Sequence, residues 1–112
     1  MTIGARLRGA SLALMSGFSV LYGPSLSAAD PVQVVIEKFE FRPAALTIKK
    51  GTTVSFVNRD AAEHTATAAD LAWTSKNLKP GESYQRIFAQ VGQLPYICGL
   101  HPFMKGTLNV TE

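Results

Sequence analysis

The chain is poor in residues that cross-link or ligate. Among 112 residues there is one cysteine, Cys98, and there are two histidines, His64 and His101. A single cysteine excludes an intrachain disulfide, the staple on which small exported domains usually depend. There is no Lys/Arg run either. Counted from Asp30, six lysines and three arginines face eight carboxylates, a formal charge of +1 against +3 for the whole chain. Such a balance argues against nucleic acid and against stable membrane association. Beyond residue 29 there is no window of helical periodicity, no internal repeat and no low-complexity segment, which excludes bundles and solenoids.

The basic excess belongs to the first 29 residues, which read as a secretory signal peptide. Arg6 and Arg8 form the positive region, Leu12 to Tyr22 the apolar one, and Gly23-Pro24 breaks it. Ser27-Ala28-Ala29 supplies small residues for cleavage after Ala29. The apolar stretch is well short of the ~20 residues of a spanning helix. The expected organisation is therefore a leader over 1–29 and one mature domain over 30–112, exported to the periplasm.

The mature part alternates with period two. Val32, Val34 and Ile36 share a face, and Phe39 and Phe41 are expected to continue it. Leu46 and Ile48, then Val54, Phe56 and Asn58, then Tyr96 and Cys98, then Leu108 and Val110 repeat the pattern, with turns at Gly51, Pro80-Gly81 and Gly92. Seven to eight short strands predict an all-β sandwich of two antiparallel sheets. Ala66 to Lys79 is the irregular segment, a crossing loop with Trp73 on the core edge.

The chemistry is concentrated in Cys98-Gly99-Leu100-His101-Pro102-Phe103-Met104. Thiolate, imidazole and thioether together select copper. The other methionines, Met1 and Met15, lie in the leader, so every remaining soft or imidazole donor is in this run or is His64. Two residues between successive donors let one tight loop fold all three around a point. His64 is expected to reach that point across the turn Arg59 to Glu63, at the same end of the sandwich. Two imidazoles, one thiolate and a weak thioether make the trigonal His₂Cys site with a long axial Met that serves electron transfer. Zinc fits less well, since structural zinc takes four Cys/His ligands.

These residues resemble the cupredoxin family, in its amicyanin- and plastocyanin-like branch. The Cys-x-x-His-Pro-Phe-Met loop, followed by Lys105-Gly106, carries the resemblance, with the Asn58-to-His64 spacing. Gly99-Leu100 departs from the Thr-Pro of amicyanins. The resemblance implies a Greek-key β-sandwich, one type 1 copper, and the ligands His64, Cys98, His101 and Met104. It further implies that Asn58 ties the His64 loop to the Cys98 strand.

The function expected is a periplasmic single-electron shuttle, with a copper carrier or storage protein holding Cu(I) as the alternative. With both histidines used, no second copper site and no Ser/His/Asp set remain for an enzyme. Leu100, Pro102 and Phe103 should form an apolar rim around an exposed His101. A redox donor and acceptor would dock there transiently on a monomer, flanked by Lys76, Lys79 and Lys105.

Overall fold

A computed structural model describes residues 30–112. The leader expected over 1–29 lies outside the described residues. Eight strands follow in chain order: β1 (Val32–Glu37), β2 (Glu40–Arg42), β3 (Ala45–Lys49), β4 (Thr52–Asn58), β5 (Thr67–Ala68), β6 (Ser83–Phe88), β7 (Gly92–Ile97) and β8 (Lys105–Thr111). They form two four-stranded sheets, in the orders β2-β1-β4-β6 and β3-β8-β7-β5.

The sheets are mixed, which corrects the antiparallel expectation. β1 runs parallel to β4, and β3 parallel to β8, while the other neighbours are antiparallel. The reason is that the chain changes sheet between β2 and β3 and again between β3 and β4. β1 and β4, and likewise β3 and β8, are therefore neighbours without being joined by a hairpin, so nothing forces them antiparallel.

The period-two faces meet as read. Val34, Ile36, Phe41, Val54, Phe56 and Phe88 from one sheet pack against Ile48, Tyr96, Leu108 and Val110 from the other, all buried. Burying a side chain of this kind contributes about 1.5–3 kcal/mol, so the alternation itself selects the register. Trp73 closes the core edge as expected, with its ring 5.2 Å from Phe88 and 5.9 Å from Phe56. Its segment is more ordered than anticipated. It contains β5 and two isolated bridges, His64 with Leu78 and Thr67 with Thr74.

Phe39 departs from the pattern. β1 ends at Glu37, and Lys38 and Phe39 form a two-residue turn with positive φ at both. The alternation resumes only at Phe41, so Phe39 stays partly exposed at the end of the sandwich.

One close contact seats the two strands that flank the candidate site. Gly106, at the start of β8, lies under Tyr96 of β7, where an added Cβ would collide with the Tyr96 ring. Only glycine permits this approach. The Tyr96 hydroxyl is buried with no hydrogen-bond partner among the described residues, and burial pushes its pKa well above the usual value.

Candidate metal centre

The ligand loop is two successive turns. His101 N–H donates to Cys98 O (3.2 Å) and Met104 N–H to His101 O (2.9 Å), while Cys98 N–H donates to Met104 O (3.1 Å) and closes the ring. Each turn spans three residues, so Cys98, His101 and Met104 recur with the period of the turn. That is the physical content of the spacing. Cys98, just past β7, is fully buried, Met104 is buried, and His101 is half-buried.

His64 comes from the segment after β4 and is brought across the sandwich end. Its amide and carbonyl pair with Leu78 (N–H to O 3.2 Å, O from N–H 2.7 Å). Its Nδ1 lies 3.8 Å from Cys98 Sγ, and His101 Nδ1 lies 3.6 Å from the same sulfur. The three donor atoms lie within 4.8 Å of one another. Bonds of roughly 2.0–2.3 Å in a trigonal arrangement put donors about 3.5–4 Å apart. The residues present therefore fit a single ion, with Met104 in the same loop.

The ring of His64 is held from behind. Its Nε2 is 2.8 Å from Asp60 Oδ2, and the imidazole is fully buried. Asp60 also accepts the amides of Phe39 (3.0 Å) and Ala61 (3.1 Å). Burial pushes the Asp60 carboxyl up, but the hydrogen bonds from His64, Phe39 and Ala61 and the His64 charge outweigh it. The net pKa lies below the ordinary carboxylate value. A carboxylate there selects the tautomer with the proton on Nε2 and leaves Nδ1 free as a donor to metal. Asp60 was not singled out in the sequence. A carboxylate four residues before a lone histidine was the signal available.

Asn58 corrects an implication of the resemblance. Its Nδ2 donates to Ala62 O (2.9 Å) and Leu78 O (2.8 Å), and its Oδ1 accepts the Asp60 amide (2.8 Å). It ties the His64 loop to the segment before β6, and not to the Cys98 strand. Thr65 makes that second link. Its amide donates to Cys98 Sγ (3.3 Å), and its hydroxyl accepts the Gly99 amide (2.6 Å).

Around His101 the surface is apolar. Phe103 is 69 % exposed, and Leu100 and Phe39 are partly exposed beside it. A cavity of about 350 Å³ opens next to Met104, between Phe39, Phe41, Phe103, Glu40 and Lys105. Of the three lysines expected at the rim, Lys105 alone lines this cavity.

Fold and donor set together define a small copper-site β-sandwich, and comparison with known proteins gives the family. A model of the Cupredoxin-like domain matches residues 10–110, and the chain belongs to that family. The family's cofactor is one type 1 copper ion. The chain is 32 % identical to amicyanin of Paracoccus versutus over 73 % of its own length and 66 % of that protein's, a little under two thirds. It is 31 % identical to amicyanin-alpha of Methylorubrum extorquens over 90 % and 93 %. Among solved structures, the Cu-containing nitrite reductase of Thermus scotoductus SA-01 is 34 % identical, with a TM-score of 0.74. That match covers 83 % of this chain and a quarter of the reductase.

Proposed function

We propose that the mature domain is a periplasmic electron carrier, exported by the leader over 1–29, in which His64, Cys98, His101 and Met104 hold one copper ion. The observation that carries this is the convergence of both Nδ1 atoms on Cys98 Sγ at 3.8 and 3.6 Å, behind a half-buried His101. A bound copper would supply a one-electron couple between its +1 and +2 states.

The chain's own residues do the rest. Thr65 and Asp60 keep the donors aimed, so little rearrangement accompanies a change of charge. Phe39, Leu100 and Phe103 exclude water while leaving the His101 edge close to the surface. That rim suits brief docking of a redox donor or acceptor over a small interface. The carrier reading follows from the convergence of both histidines of the chain on Cys98. The nitrite reductase is a chain of which this one spans a quarter, so its activity is not carried over.

The test is titration of metal-free residues 30–112 with Cu(II), read by visible absorption. An intense thiolate-to-copper band that saturates at one equivalent and bleaches reversibly supports the shuttle. A colourless product that holds only Cu(I) would replace it with the carrier or storage reading.

A further inference from the structure

The β1–β2 hairpin turns on Lys38 and Phe39, whose φ angles are +54° and +59°. Two-residue hairpin loops with both residues in this region favour Asn, Asp and Gly, because a side chain crowds the backbone there. A bulky aromatic in that conformation is an outlier, and such strain is found where a site requires it. Core burial does not account for it, since Phe39 is 40 % exposed while Phe41, two residues on, fills the core at 2 %.

The ring of Phe39 instead faces the metal centre. It meets the His64 imidazole edge-on at 5.0 Å and 83°, and the His101 imidazole at 4.9 Å and 79°. On its outer side it lies nearly parallel to Phe103, at 6.4 Å and 22°. Its amide donates to Asp60 Oδ2, the oxygen that also faces His64 Nε2. The turn is thus anchored to the group that orients one histidine while its ring walls both.

We propose that Phe39 is a positioning residue whose ring holds the imidazoles of His64 and His101 turned toward Cys98 before metal arrives. This rests on the reading of those three residues as ligands. His64 is already held by Asp60 and by burial. Among the described residues, the His101 ring has no hydrogen bond except that to Cys98 Sγ. Aromatic packing is what orients it, and edge-to-face contacts have a preferred geometry that apolar burial alone lacks. The strained turn is the means of bringing an aromatic from the opposite sheet over the ligand loop.

Phe39→Gly separates this role from a structural one, because glycine suits the turn and removes the ring. Phe39→Asn, also tolerated at positive φ, is the second variant should glycine loosen the hairpin. In metal-free protein, NMR relaxation of the His101 ring should show increased motion while the unfolding temperature is held or raised. Copper affinity, read by competition with a chelator, should fall by roughly tenfold, the lower end of what outer-shell changes cost. Phe39→Tyr should restore both. Unchanged His101 ring order in both variants would overturn the proposal. If the unaltered protein binds no copper, the ligand assignment fails, and the ring-order measurement on metal-free protein still decides the role of Phe39.

Discussion

Thr65 grips Cys98 from two directions: its amide donates to the sulfur at 3.3 Å, and its hydroxyl accepts the amide of Gly99 at 2.6 Å. The residue beside His64 thus fixes the backbone beside Cys98, 34 positions along the chain. Thr65→Val keeps the shape and the amide but strands the Gly99 N–H. Gly99 is exposed, so we expect a loss of about 0.5–1.5 kcal/mol, the net worth of one hydrogen bond, measured by denaturant unfolding of metal-free protein. Unchanged stability would show that the Gly99 amide finds another acceptor.

Asp60 places a negative charge behind His64. A negative charge there favours the more highly charged Cu(II) by electrostatic attraction. Asp60→Asn keeps an acceptor and removes the charge, so the reduction potential should rise. The expected size is on the order of a tenfold change in the one-electron equilibrium, about 59 mV, read by voltammetry. A lowered potential would reverse the assigned direction.

Leu100 is exposed on the rim and lies between the two proposed ligands Cys98 and His101 in the chain. Leu100→Glu puts a charge on the apolar surface while leaving the donor set intact. Electron exchange should slow by roughly tenfold, about 1.4 kcal/mol, with the visible spectrum unchanged. Exchange at the original rate would move the docking surface away from His101.

Gly106 and Tyr96 test how the two strands flanking the Cys98–Met104 loop are seated. Gly106→Ala forces a methyl into the Tyr96 ring, and overpacking of this kind costs about 1–3 kcal/mol. Tyr96→Phe removes a buried hydroxyl with no partner among the described residues. It should leave stability unchanged or raise it by roughly 1 kcal/mol. The unfolding temperature should therefore fall in Gly106→Ala and be held or raised in Tyr96→Phe.

Much of this was legible in the sequence because it is local. The donors Cys98, His101 and Met104 are spaced by the length of a turn, and a turn is closed by its own backbone. The inward faces at Val34, Phe56 and Leu108 follow from the pleat, whose period is two whatever lies opposite. The identity of the donors is chemistry carried by residue type, so copper could be read before any fold.

What the sequence by itself determined is thus the chemistry of the ligand loop and the faces of the strands. Tertiary structure decided which strands run parallel, that Asp60 stands behind His64, that Thr65 rather than Asn58 holds the Cys98 segment, and that Phe39 leaves the core to cover the imidazoles. Apart from Asp60 and His64, which are four residues apart and are set face to face by the folding of one loop, each of these depends on groups far apart in the chain, and their meeting is set by how two sheets cross and pack. An alternating pattern specifies a face; it does not specify the neighbour that the face will meet.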